Sequence, residues 1–266
     1  MDDAPFFGLL SEHVLLLAMA TLRLTVAFLV TPLFSDELVP ALVRNSIFIA
    51  LASVVAFMQP AIDFDSITAA QLMGLFAKEA FIGLTIGFFY SLFLWAFEAA
   101  GTIIDTQIGT SLAMVYDPIS GHDVTLYGEL IGRWANYLFI SSGGLLLLTI
   151  AIIESYAIWP IEQPLPPLDL TTLVLFEDQF SRFVSLILTL SAPVIAVIFL
   201  VDMSMGLINR FAKRLDILFI SMAIKGLVAL LLIFILIPVL VEVFFLQLDS
   251  HRDGLSEFLR AILGDA

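Results

Sequence analysis

The chain has no cysteine, and only 11 Lys and Arg stand against 25 Asp and Glu in its 266 residues. The first absence excludes disulfides and thiolate metal sites, so cysteine usage says nothing about redox compartment. The second leaves a net charge of −14, which excludes the basic patch of a nucleic-acid binder. Histidine is scarce as well. His13, His122 and His251 stand apart, without the H-x-x-x-H pairing of a metal site. No glycine-rich phosphate loop and no G-x-S-x-G elbow occurs. Asp105 and Asp117 are the only paired acids that invite comparison with an intramembrane protease, and they lack protease-type flanks. Neither catalysis nor a cofactor nor a metal is expected. A basic leader is missing too: the chain starts Met1-Asp2-Asp3. The first apolar run is therefore expected to stay in the mature protein.

What the chain has is apolar surface. Hydrophobic residues make up 61% and charged residues 14%, with a mean hydropathy of +1.06. Soluble domains sit nearer 45–50% and about 25%. Apolar runs fall at 13–34, 39–58, 72–99, 125–153, 180–207 and 216–246. Their length, without period-two alternation or hairpin turns, predicts six or more long helices of an integral membrane protein. The last run, Leu215 to Phe245, would be about 46 Å long, more than the ~30 Å of hydrocarbon. It also holds Lys225-Gly226 and Pro238, which invite a kink.

Charges interrupt the runs. Arg23 lies mid-run, Arg44 near the start of the second, Lys78-Glu79 and Glu98 at the two ends of the third, and Glu129 and Arg133 in the fourth. Glu129 and Arg133 are spaced to pair on one helix face. An isolated charge is costly in lipid, so these are expected to face protein or lie beyond the hydrocarbon. The basic cluster Arg210, Lys213 and Arg214 assigns its turn to the cytoplasm, while loops 31–40, 59–71 and 158–176 hold no Lys or Arg. So weak a bias points to placement by partner subunits. Trp159-Pro160 through Pro166-Pro167 reads as a stiff, extended connector. It leads into a helical hairpin over 177–246 and, from His251, a short charged helix or a frayed tail. Gly83 and Gly87, four apart, favour a close helix contact.

One segment stands out between two apolar runs: Glu98 to Asp123, rich in Gly, Thr, Ser and acids. No Lys or Arg occurs between Lys78 and Arg133. Such backbone cannot face lipid unsatisfied. Gly101, Gly109 and Gly121 permit tight backbone, Asp117-Pro118 starts a turn, and Met114 is adaptable. Two readings fit the composition: an ordinary re-entrant or exposed connector, and a mobile segment that fills a passage.

Ordered blocks then carry a family likeness: Lys78-Glu79; Trp95-Ala-Phe-Glu98-Ala-Ala-Gly101-x-Ile-x-Asp105-x-Gln107-x-Gly109; Asp117-Pro118; Ser142-Gly143-Gly144; Ser155-Tyr156 with Trp159-Pro160; and Asn209-Arg210-Phe211-Ala212, followed by Ala223-Ile-Lys225. The chain resembles the T subunit of type III secretion export apparatuses (the SctT/YscT/HrcT/SpaR group, homologous to flagellar FliR). The Trp-Pro and Asn-Arg-Phe-Ala blocks look more like the injectisome branch than the flagellar one.

The resemblance implies an all-α membrane protein of long, kinked helical hairpins, like an R-type (FliP-like) subunit fused to an S-type (FliQ-like) hairpin. The expected division is 1–175, carrying a pore-facing loop at about 109–123, then a hairpin at 176–246 and a tail at 247–266. It implies a non-enzymatic core subunit of an export gate in the bacterial inner membrane, much of it raised towards the periplasm, passing unfolded secreted proteins. Five R-type and four S-type subunits would surround one copy of this chain, near the U-type switch subunit and the V-type ring, with lipid outside. Glu98 to Thr106 is then expected to be a helix end packing against neighbours, and Gly109, Thr110, Ser111, Met114, Tyr116, Asp117, Pro118, Ile119 and Gly121 are the expected loop that closes the channel. Lys78, Glu79, Glu98, Asp105, Gln107, Glu129, Arg133, Arg210 and Lys225 are the expected interhelical or intersubunit polar contacts. A small-molecule secondary transporter and a scaffold with no pore role are the rival readings.

Overall fold

The computed structural model describes residues 4–34, 39–59, 67–110, 125–164, 170–211 and 217–263. Seven α-helices are found among them: α1 (Ala4–Val30), α2 (Ala41–Met58), α3 (Ala69–Ile108), α4 (Leu126–Ser141), α5 (Gly144–Ile158), α6 (Leu170–Phe211) and α7 (Ile217–Leu263). Five are long and apolar enough to cross a membrane, and the bent pair α4–α5 makes a sixth candidate. Charge-free stretches of α3 (between Glu79 and Glu98), α6 (Arg182 to Asp202) and α7 (Lys225 to Glu242) are each about 24–29 Å long. They match the ~30 Å hydrocarbon core.

Two boundaries differ from expectation, each for a local reason. The helix α3 starts before Leu72 because Thr68 and Gln71 form a capping box. Thr68 N–H donates to Gln71 Oε1 at 2.9 Å, and Gln71 N–H to Thr68 Oγ1 at 3.4 Å. Lys78 and Glu79 thus lie inside the helix rather than at its start. At the other end α3 runs on to Ile108, in keeping with the helix end expected over Glu98–Thr106; there Gly109 turns left-handed at φ 95° and returns its N–H to Asp105 O. The expected single helix over 125–153 is broken at Ser142-Gly143 with a 67° bend, because Gly143 sits at φ 85°. Open space surrounds that position, so Gly143→Ala meets only the conformational penalty. A loss of about 1–2 kcal/mol is expected, read from the thermal aggregation midpoint of the detergent-extracted chain. From His251 the chain is helical to Leu263, the first of the two expected readings, and continuous with α7 rather than a separate helix.

The chain falls into two compact units. The first comprises residues 1–91, 142–177 and 251–266. Here Phe28 stacks on Phe48 at 5.2 Å, with Phe34 edge-on at 5.0 Å. Gly83 and Gly87 lie against the α1 backbone at Arg23 and Ala27, as the spacing of four predicts. At its centre Arg23, Lys78 and Glu79 are fully buried. Glu79 bridges the two cations: Arg23 Nε donates to Oε2 at 2.6 Å, Nη2 to Oε1 at 2.9 Å, and Lys78 Nζ lies 2.9 Å from Oε1. The surplus positive charge is spread over peptide carbonyls. Arg23 Nη2 reaches Trp159 O at 3.1 Å, and Lys78 Nζ reaches Pro160 O, Ile161 O and Gln163 O at 2.7–3.0 Å. The Tyr156 ring lies 3.8 Å from the guanidinium carbon. The described start of the proline-rich connector is therefore not extended. Gln163 N–H closes a turn onto Pro160 O, because a single ammonium gathers three of its carbonyls.

The second unit comprises residues 92–141 and 178–250. Its core is aromatic: Phe93 meets Phe139 and Phe244, and Phe97 meets Phe244, at 5.6–5.7 Å. Only 33% of the apolar window of α6 and 22% of that of α7 is buried, against 72% for α3. Most of α3 is thus enclosed, while α6 and α7 keep broad apolar faces exposed.

Candidate functional site

The sequence singles out the segment between α3 and α4. Of its nine candidate loop residues, Gly109 and Thr110 are described; Ser111, Met114, Tyr116, Asp117, Pro118, Ile119 and Gly121 lie outside the described residues. The two stems that lead into residues 111–124 are fully described, and they form the site.

Asp105 holds the stems together. Its Oδ2 accepts the backbone N–H of Tyr127 at 2.8 Å and of Gly128 at 3.0 Å. These are the second and third residues of α4, whose N–H groups have no intrahelical partner. A carboxylate from the last turn of α3 thus does the work of a cap for α4, and its charge suits that helix end. Asp105 is 2% exposed; its Oδ1 has no hydrogen-bond partner among the described residues. Thr110 Oγ1 donates to Asp105 O at 2.9 Å, tightening the α3 end. Gly101 and Gly128 bring the helices together, since a β-carbon at Gly101 would enter the backbone of Tyr127.

A second set of contacts comes from α7. Lys225 Nζ donates to Gln107 O at 3.1 Å and pairs with Asp202 Oδ1 of α6 at 3.0 Å. Tyr127 Oη donates to Gly226 O at 2.6 Å. Gln107, predicted as a side-chain contact, takes part through its backbone carbonyl. Tyr127, Gly128 and Asp202 escaped sequence reasoning, and Gly226 was read only as part of a kink. Only Asp202, an acid inside an apolar run, left a signal that could have been followed.

The remaining predicted polar residues sort by exposure. Glu129 and Arg133 pair at 3.0 Å as their spacing predicts, with side chains 46% and 63% exposed. Glu98 packs its stem beside Gly132 and is exposed, as is Arg210 in the last turn of α6. Lys78 and Glu79 belong to the buried cluster of the first unit. Among the described residues, no group of three His, Asp or Glu could hold a metal ion. The arrangement at the stems has no reacting group; it clamps two helix ends and binds them to a third and a fourth helix.

Comparison with known proteins agrees with the ordered blocks. A family described as "Bacterial export proteins, family 1" matches residues 14–250. The "Yop proteins translocation protein T" of Yersinia pestis is 33% identical over 217 residues, covering 80% of this chain and 82% of that protein. The "Secretion system apparatus protein SsaT" of Salmonella typhimurium is 28% identical over 263 residues, 95% of this chain and 98% of the relative. The "Flagellar biosynthetic protein FliR" of Bacillus subtilis is 28% identical over 244 residues, with 88% and 92% covered. With its family blocks in order and nearly its whole length matched, the chain belongs to the bacterial export proteins of family 1.

Proposed function

We propose that the chain is a non-enzymatic core subunit of a type III protein export gate in the bacterial inner membrane. It forms part of the wall of a channel for unfolded secreted proteins, and residues 109–123 form a loop that closes the channel. The observation that carries this reading is the stem clamp. Asp105 holds together the two helix ends that flank this polar, glycine-rich sequence, accepting two backbone N–H groups of α4 from the last turn of α3. The names of the relatives support an export subunit.

The finer parts of the proposal follow the family likeness. The chain is a fusion of an R-type part and an S-type hairpin, with the hairpin at 176–246. One copy assembles with five R-type and four S-type subunits, in contact with the U-type and V-type components. The broad apolar faces of α6 and α7 suit such neighbours and lipid. The exposed Glu98, Glu129–Arg133 and Arg210 suit polar contacts between subunits.

The test replaces residues 110–120 with a short Gly/Ser linker in bacteria that assemble the complex. A raised ion leak or deregulated export, with the complex still isolated intact, is the expected result. Unchanged leak together with unchanged export overturns the closing role.

A further inference from the structure

One face of the second unit mixes charge with apolar surface. Between α4 and α7 lies an open notch of about 220 Å³, lined among others by Leu130, Ile131 and Trp134 of α4 and Leu230, Phe234 and Ile237 of α7. All of its lining residues are aliphatic or aromatic. A cavity of ~150 Å³ admits a benzene ring, so the notch has room for a large side chain. Leu230 and Phe234 at its rim are 50% and 74% exposed. Charges stand on the same two turns of α4: Glu129 precedes Leu130, Arg133 precedes Trp134, and both charged side chains are exposed. Glu98 of α3 lies against Gly132, and its carboxylate feels the charge of Glu129. Among the described residues no cation pairs with Glu98. Two acids against one arginine leave a surplus negative charge on this face.

The height of the charges narrows what can cover them. Tyr127 Oη donates to Gly226 O, and the notch joins Leu130–Trp134 to Leu230–Leu240, so α4 and α7 advance together from that bond. Arg133 lies six residues beyond Tyr127, or about 9 Å. The charge-free stretch of α7 between Lys225 and Glu242 is about 24 Å long. The exposed ion pair therefore stands well inside the height of that stretch. Lipid against this face would put an exposed Glu and Arg into hydrocarbon, which is costly. Water against it would wet Leu130, Leu230 and Phe234 together, an apolar patch of the kind that marks an interaction site. A protein surface with an apolar centre and a polar rim meets both demands. A second copy placed by two-fold symmetry would lay a net negative face on itself.

We infer that the α4–α7 notch and its charged rim dock one helix of a partner protein. That helix inserts a large apolar side chain into the notch and brings a Lys or Arg on the same face to Glu98, with anchors at helical spacing. This part of the apolar face of α7 is thereby assigned to protein and not to lipid. The docking role is independent of the closing role proposed above.

The test places a diazirine-bearing amino acid at Phe234 of the full chain, in bacteria that assemble it with its native partners; Leu230 is the second position. Both side chains are exposed at the rim, so neither replacement opens the core. Light drives the diazirine into whatever touches it, and mass mapping tells protein, lipid, water and a second copy apart. The expected product is a crosslink to a helix of a different protein, with a Lys or Arg on the same face within about two turns. Products with lipid alone, water alone or a second copy overturn the inference. A companion measurement follows the amount of chain recovered in the complex. Glu98→Lys is expected to lower it at least about tenfold, since like charges facing each other across an interface are costly. Glu98→Gln should lower it about threefold. The thermal midpoint of the detergent-extracted chain alone should hold for both variants, because Glu98 is exposed. Replacing the mapped partner cation with Glu should bring Glu98→Lys back to within about twofold of the parent. Unchanged recovery for Glu98→Lys, a loss without rescue, or a matching fall in the midpoint of the chain alone each overturns the inference. A crosslinked partner foreign to an export apparatus would leave the docking surface standing and remove the export reading.

Discussion

Glu79→Ala should destabilise the chain by about 3–5 kcal/mol, the cost of leaving buried charge without its partner. The carboxylate is the only anion bonded to either Arg23 or Lys78 among the described residues. Its removal leaves two cations, both fully buried, facing only carbonyl and hydroxyl oxygens. Lower recovery from the membrane and an earlier thermal aggregation midpoint are the measurements. The control is Glu129→Ala. That residue also pairs with an arginine, at 3.0 Å, but with side chains 46% and 63% exposed. Exposed pairs contribute about 0–1 kcal/mol, so its midpoint should barely move. Equal losses for the two variants would refute the distinction drawn between the two pairs. Glu79→Gln should fall between them, since it keeps the shape and loses the charge.

Gly101→Ala should cost about 3 kcal/mol, the upper part of the range for overpacking. A β-carbon there would overlap Tyr127 O and lie 2.6 Å from Tyr127 C and 2.7 Å from Gly128 Cα. Carbon atoms prefer about 3.5–4.0 Å, and backbone cannot swing aside as a side chain can. The first turn of α4 must retreat, and the two Asp105 bonds at 2.8 and 3.0 Å are lost with it. Gly74→Ala in the same helix meets nothing within 4 Å. It should gain up to about 1 kcal/mol, the difference in helix propensity. Opposite shifts in thermal midpoint for the same substitution in one helix are therefore expected. A Gly101→Ala chain as stable as the parent would remove the close approach of α3 to α4.

The contrast marks what a linear reading can see. Contacts set by spacing along one element were legible: the four-residue interval of Gly83 and Gly87, and the Glu129–Arg133 pair. The helical class and the segment of interest were legible too, because apolar length and glycine content are properties of composition. The Thr68–Gln71 capping box was legible and overlooked, which is why the predicted start of the third helix came late. Contacts between distant elements left little trace. Arg23 and Glu79 are 56 residues apart, and several acids could have paired with either cation. Carbonyl oxygens, which receive Lys78, Lys225 and Tyr127, belong to every residue and have no signature. The break at Ser142-Gly143 was hidden because hydropathy is blind to a change in φ.

The Lys78 cradle also sets a schedule. Its carbonyl ligands lie 82–85 residues further along the chain, so at about 5–20 residues per second translation makes them about 4–17 s later. Arg23 is made before that wait begins, and Glu79 is the next residue after Lys78. A nascent chain that has reached the end of α3 holds the carboxylate and both cations, with a surplus positive charge and no oxygens to receive it. The first unit therefore cannot be finished by the helices that begin it: its central charges gain these carbonyl partners only after residues 160–163 have been made.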